Sequence, residues 1–173
     1  MVYSDFKDAM SRLSGPMPAA CRQIGVVGMK ISTKGRYALL LMGDLARAQK
    51  GELTPIKEIA NHQGISEKYL EQIVRSLAKE GLVLSTRGSQ GGYRLAADPS
   101  SITVGAILRA TEGDLAPVSC VADGGFCNHL ASCETVFIWR KIKEAVDEVV
   151  DGITLQDLVE QASASEPAFE LQA

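Results

Sequence analysis

The chain has 173 residues, 46% hydrophobic and 23% charged, which suits one globular unit with enough apolar mass for a core and excludes a disordered chain. No stretch approaches the roughly 20 apolar residues that cross a bilayer, and the N-terminus lacks the order of a secretory signal, so a cytoplasmic protein without membrane partners is expected. The net charge of −3 conceals an asymmetry: residues 29–95 hold 11 Lys and Arg against 6 Asp and Glu, whereas residues 96–173 hold 4 against 13. The first half can meet phosphate and the second repels it.

Residues 1–28 read as a disordered N-terminal extension, because Gly15-Pro16-Met17-Pro18 breaks any helix and Met29 offers a natural start. From Ser32 to about Gln49 the run Lys34-Gly35-Arg36-Tyr37-Ala38-Leu39-Leu40-Leu41-Met42 predicts a buried first helix. Thr54-Pro55 predicts an N-cap followed by proline at the first helical position, with Ile56, Ile59 and Ala60 on one face and Gly64 at the turn. Ser66 is expected to cap the next helix, whose Leu70, Ile73, Val74 and Leu77 face the core and which Gly81 ends. Leu82-Val83-Leu84 and Tyr93-Arg94-Leu95 flank Arg87-Gly88-Ser89-Gln90-Gly91-Gly92 as a hairpin. Three helices and a hairpin make a winged helix-turn-helix over residues 29–113.

Beyond the wing, Thr103 should cap a helix carrying Val104, Ile107 and Leu108 that ends near Gly113. A cysteine-rich loop over 114–134 follows. A long helix from about 134 to 151 then places Phe137, Ile138, Ile142, Ala145, Val146 and Val149 along one side, and a short helix from Thr154 to about Gln161 completes the segment 134–162. So wide a stripe has no partner left in a domain this small and predicts a dimer. Residues 163–173 read as a flexible tail. The expected fold class is therefore mainly α with a small β-hairpin wing: a winged helix-turn-helix domain plus a long C-terminal dimerisation helix.

With four apolar residues turned inward, the helix after Ser66 presents Ser66, Lys68, Tyr69, Glu71, Gln72 and Arg75 outward. In a major groove Gln72 suits adenine, Tyr69 and Ser66 suit phosphate, and Glu71 accepts from a cytosine amine and so discriminates against other bases. The alternative is an ordinary solvated helix face, which the adjoining wing disfavours. Arg87 beside Gly88, Gly91 and Gly92 suits the narrow minor groove, where missing side chains let the backbone approach. Lys34 and Tyr37 are expected at phosphate, with a core position open for Tyr37.

Cys120, Cys127 and Cys133 are spaced C-x6-C-x5-C in a loop that also holds Gly124, Gly125, Asn128 and His129. In a reducing compartment such a cluster favours thiols or metal ligands over disulfides. Thiolates suit zinc or iron-sulfur iron, His129 would complete a Cys3His zinc set, and spacing alone does not separate zinc, a cluster and three metal-free thiols. An enzyme is the least expected class on the same residues: His62 and His129 are the only histidines, no GxxxxGK[ST] loop exists, and no nucleophile sits in a recognisable motif. His62 reads as a surface residue of the second helix.

The segment from Met29 to about Ala162 resembles the family of iron-sulfur cluster regulators and nitric-oxide-sensing repressors, the IscR-, NsrR- and CymR-type winged-helix proteins. The likeness rests on Met29-Lys30-Ile31-Ser32-Thr33-Lys34-Gly35-Arg36-Tyr37-Ala38, Gln63-Gly64-Ile65-Ser66 with Tyr69-Leu70-Glu71-Gln72, Arg87-Gly88 through Gly91-Gly92-Tyr93, Ile102-Thr103-Val104-Gly105, and Ile153-Thr154-Leu155 with Leu158. It implies a homodimeric repressor whose long helices pack antiparallel across a two-fold axis on a palindromic double-stranded operator. It also implies a [2Fe-2S] cluster (in some members [4Fe-4S]) on Cys120, Cys127 and Cys133, base reading by Ser66, Tyr69, Glu71 and Gln72, and a minor-groove contact by Arg87 and Gly88. The first cysteine interval is one residue longer than the family's commonest, and Val136 and Arg36 stand where family branches place a histidine or carboxylate ligand. The fourth ligand is thus unassigned, with His129 and Glu134 nearest. The alternatives within this architecture are zinc, redox thiols, or CymR-type control by a partner enzyme.

Overall fold

The computed structural model describes residues 31–165 except Lys50 and Ser89. The expected disordered extension, residues 1–28, and the tail beyond residue 165 lie outside the described residues. Helix α1 (Thr33–Arg47) begins where extended Ser32 lets its hydroxyl accept from the Lys34 amide at 3.1 Å. The Glu112 carboxylate, delivered from 80 residues away, adds bonds from the Gly35 amide at 2.7 Å and the Ser32 hydroxyl at 2.6 Å. Helix α2 (Ile56–Gln63) ends at Gly64, whose φ of +64° supplies the left-handed turn that reverses the chain into α3 (Glu67–Lys79).

Strands β1 (Val83–Thr86) and β2 (Gly92–Leu95) pair antiparallel, Val83 against Leu95 and Thr86 against Gly92. The proline expected at the first position of α2 sits instead at its N-cap, and Thr54 is drawn out of the helix. The reason is in the backbone: Thr54 and Tyr93 exchange two hydrogen bonds of 2.9 Å, which holds Thr54 extended as a third rung of the wing. Gly92 permits the approach, since a Cβ there would lie 2.8 Å from the Thr54 carbonyl oxygen.

After a 3-10 turn at Pro99–Ser101, α4 (Val104–Glu112) is capped as expected, Thr103 Oγ1 accepting from the Ala106 amide at 3.1 Å. Two further 3-10 turns, Ser119–Val121 and Leu130–Ser132, shape the cysteine loop before α5 (Val136–Gly152) and α6 (Leu155–Ser165). Helix α6 therefore carries three residues that read as flexible tail.

The main core closes between the helices of the DNA-binding half: Leu41 and Met42 of α1, Ile59 of α2, Leu70, Ile73 and Leu77 of α3 and Ile107 of α4 are fully buried. Leu155 joins them, because Thr103 and Thr154 pair and the Leu155 amide donates to the Ile102 carbonyl at 2.7 Å. A smaller cluster of Val104, Leu108 and Leu115 receives Val146 and Val150 of α5 and Leu158 of α6. No helix among the described residues is long and apolar enough to cross a membrane.

Candidate nucleic-acid interface and cysteine loop

The inward set Leu70, Ile73, Val74 and Leu77 is buried as the spacing demanded, which leaves Ser66, Lys68, Glu71, Gln72 and Arg75 exposed on the opposite side of α3. Ser66 occupies the N-cap position, yet its hydroxyl makes no capping bond and stays available at the surface. Tyr69 is half-buried: its ring meets Tyr37 edge-on, with centroids 5.9 Å apart at 84°. Both tyrosines pack against the core cluster while staying half-buried. At the wing tip Arg87 and Gly88 are exposed, and Gly88 adopts φ +122°.

Lys34 lies where three helices meet. Its ammonium donates to Ser76 Oγ at 3.0 Å and to the Thr111 carbonyl at 3.2 Å, so this half-buried side chain joins α1 to α3 and α4 instead of reaching outward. The physical reason is the C-terminal end of α4, whose unpaired carbonyls and negative dipole end attract a cation. His62 is exposed, with Nδ1 2.9 Å from Asp44 Oδ2.

Cys120 lies in the turn Ser119–Val121, Cys127 in the connecting segment, and Cys133 at the end of the turn Leu130–Ser132; all three are half-buried. Among the described residues no three His, Cys, Asp or Glu side chains are gathered closely enough to hold a metal, so the structure does not bring the three thiols to one point. Cys133 is nevertheless primed, since the Thr135 hydroxyl, 3.3 Å from Sγ, and the Thr135 amide hold its thiol below the usual range. By donor chemistry the three thiols of this loop would suit a thiolate-bound iron or zinc centre once the loop brought them together. His129 and Glu134 are both exposed.

The loop's root is fixed to the end of α4. Asp114 accepts from the Ala116 amide at 2.7 Å and from the Asp123 amide at 2.6 Å. Asp123 in turn pairs with Lys143 at 3.5 Å, Lys143 with Asp147 at 2.8 Å, and Asp147 with Arg109 at 2.6 Å. Arg109 also takes Asp151 in a two-pronged contact of 2.6 and 2.9 Å. Lys143 and then Arg109 hold the Asp147 carboxyl below its usual value, while these carboxylates raise both cations. Composition gave no sign of this ladder, although Lys143, Asp147 and Asp151 at i, i+4 and i+8 share one helix face.

That face explains how the predicted apolar stripe divides. Val146, together with Val150, turns inward onto Leu108 and Leu115, whereas Phe137 and Val149, 63% and 59% exposed, and Ile138 and Ala145 remain outside with half-buried Ile142 between them. Gly105 lets α5 approach: a Cβ there would run into the Asp151 carboxylate and lie 3.0 Å from Val150 Cγ2.

A family model described as Rrf2, an iron-dependent transcriptional regulator, matches residues 31–161. The chain belongs to the Rrf2 family of transcriptional regulators. It is similar to the HTH-type transcriptional regulator CymR of Bacillus subtilis (strain 168), at 43% identity over 141 residues that span 82% of this chain and 97% of that protein. The HTH-type transcriptional regulator IscR of Vibrio campbellii is 38% identical over 131 residues, 76% of this chain and 77% of that one. The solved structure of T. potens IscR aligns with a TM-score of 0.64 at 39% identity, covering 83% of this chain and 96% of that one. Rrf2 membership makes the chain a DNA-binding gene regulator and not an enzyme, and the structural match supports its winged helix-turn-helix.

Proposed function

We propose that this Rrf2-family protein is a homodimeric repressor of a palindromic operator that reads iron-sulfur, redox or nitric oxide status through a cluster held by Cys120, Cys127 and Cys133, a [2Fe-2S] centre before zinc. The observation that supports the sensing role is the anchorage of the cysteine loop beside α4: Asp114 accepts from the Asp123 amide at 2.6 Å next to the turn where Glu112 caps α1 and the Thr111 carbonyl holds Lys34. Base reading falls to Ser66, Glu71 and Gln72, with Tyr69 at the edge of the surface and Arg87 and Gly88 at the minor groove. Ile138, Ile142, Ala145 and Val149 recur at i, i+4, i+7 and i+11, the spacing of a two-helix seam, and form the dimer face with Phe137.

Bound there, such a centre supplies ligation that oxygen or nitric oxide disrupts. The rest belongs to the protein. Drawing the three thiols together requires the 114–134 loop to rearrange, Cys133 enters that set already acidified, and Asp123 moves with the loop. Two arrangements that differ in how the loop holds α5 are what a linkage between cysteines and operator needs.

Anaerobic reconstitution followed by titration of a duplex from the gene's own promoter tests this reading. The loaded and unloaded forms should differ in affinity by about 5-fold or more, the lower edge of typical coupling; equal affinities remove the sensing role and leave DNA binding intact. One observation favours a second reading, redox thiols: the Thr135 hydroxyl lies 3.3 Å from Cys133 Sγ, a contact that stabilises a thiolate and with it selective oxidation. Cluster-loaded protein is reddish brown and loses that colour on substitution of Cys120, Cys127 or Cys133, whereas a thiol sensor is colourless throughout.

A further inference from the structure

A groove of about 510 Å³ runs between the wing and the start of α2, with Lys57 on one wall and Arg87 on the other. Thr86, Gly88, Gly91 and Gly92 line it between them, and its lining contains no carboxylate. Three other clefts mix the signs: Glu52 and Asp98 with Arg94 line the one at the end of α1, Asp44, Glu52 and Glu58 with Arg47 the one between α1 and α2, and Glu80 with Arg109 the one beside α4. Of these four, only the groove at the wing presents cations without a carboxylate, which favours an anion.

Two features make the groove a built surface. Its walls move together, because the paired Thr54–Tyr93 hydrogen bonds stitch β2 to the residue that precedes α2, and the missing Gly92 side chain leaves room for that contact. Its cations are uncommitted: Lys57 and Arg87 are exposed and have no hydrogen-bond or ion-pair partner among the described residues. Lys34, Arg47, Arg109 and Lys143 by contrast are held by acceptors of the protein itself.

We propose that this groove seats the sugar-phosphate backbone of double-stranded DNA, Lys57 making a sequence-independent phosphate contact opposite Arg87. The proposal rests on the DNA-binding reading and redraws its footprint: the phosphate contact expected at Lys34 passes to Lys57, on a different helix. A contact of this kind positions the duplex and carries no sequence information. Its signature is therefore salt dependence and not discrimination between operators.

The probe is a fluorescein-labelled 30-base-pair duplex of arbitrary sequence, titrated by anisotropy with the full chain over a salt series. Neutralising one phosphate contact lowers the slope of log affinity against log salt by about 0.9, so K57Q should lose about three- to fourfold less affinity than the parent between about 50 and about 200 mM salt. K57R should restore the parent slope, and K57E should shift it further in the same direction as K57Q. Lys141→Gln, an exposed lysine of α5 away from the groove, should leave the slope as it was. A K57Q slope equal to the parent's overturns the groove assignment while DNA binding stands. A parent protein that binds no duplex at low salt overturns the DNA reading and the groove with it.

Discussion

Gly35→Ala should destabilise the protein although it replaces glycine by alanine inside a helix, and its sign should reverse when Glu112 is removed. In an ordinary helix the exchange gains about 0.8–1 kcal/mol. Here the new Cβ would stand 2.5 Å from Glu112 Oε1, the atom that accepts from the Gly35 amide at 2.7 Å and the Ser32 hydroxyl at 2.6 Å. Glu112 is a flexible side chain, so it swings away without straining the backbone, and the cost is the loss of its bonds. Hydrogen bonds to a charged group contribute about 1.5–3 kcal/mol, discounted here because Ser32 is exposed and still caps α1.

The bond loss exceeds the helix gain, and Gly35→Ala should cost about 1 kcal/mol net, or roughly 2–4 °C in melting temperature for a chain of 173 residues. In a Glu112→Ala background there is nothing left to displace, and the same Gly35→Ala should stabilise by about 1 kcal/mol. Urea unfolding of the four proteins of this cycle reads both numbers. Gly35→Ala stabilising the parent, or destabilising the Glu112→Ala protein, would refute the reasoning that Gly35 exists to admit this carboxylate.

Leu155→Ala should cost about 2–5 kcal/mol, the range for emptying a buried leucine site, and chemical denaturation will show whether a residue so late in the chain truly belongs to the DNA-binding core. Asp147→Asn should lower stability at neutral pH. Because the folded Asp147 carboxyl lies below its ordinary 3.8, its contribution is present above that value and fades as pH falls through the lowered one, so thermal melts of parent and variant should converge in acid. Gly105→Ala should separate α5 from α4 by forcing a methyl against Asp151 and Val150, giving faster amide exchange in α5 while α1 to α3 keep their protection. Equal exchange in parent and variant would show that the junction is looser than the packing implies.

How legible each part was in the sequence depends on the range of the forces that place it. The recognition helix is decided by residues three and four apart, so Leu70, Ile73, Val74 and Leu77 announced their face, and Gly64 its turn. The contacts of Lys34 were not legible because its acceptors, Ser76 and Thr111, lie 42 and 77 residues away and no local pattern reports them. The stripe on α5 was read as one surface for the same reason. Periodicity shows that Val146 and Val149 are apolar on neighbouring sides of a helix, but only the position of Leu108 and Leu115 decides that Val146 turns inward. The cysteines were legible as a chemical set, while their separation in the folded loop was not, since the glycines at 124 and 125 allow the loop many shapes.

The same long-range contacts define what a rearranging cysteine loop can reach. From Asp123 the ladder leads through Lys143 and Asp147 to Arg109 on α4; two residues further along α4, the Thr111 carbonyl holds Lys34, which holds Ser76 of the recognition helix. The joints are unequal. Asp123 is 91% exposed and 3.5 Å from Lys143, a geometry that contributes about 0–1 kcal/mol, whereas the Arg109 contacts are 2.6 Å long and less exposed. The loop can therefore leave α5 at little cost without unfastening α5 from α4. The Asp114 bonds, at 2.6 and 2.7 Å, stay with the loop's root, so its motion pulls on the end of α4, where Glu112 caps α1 and Thr111 holds Lys34. Under the sensing function proposed above, a signal that starts at the thiols would reach α3 through the last turn of α4, where the Asp114, Glu112 and Thr111 contacts meet.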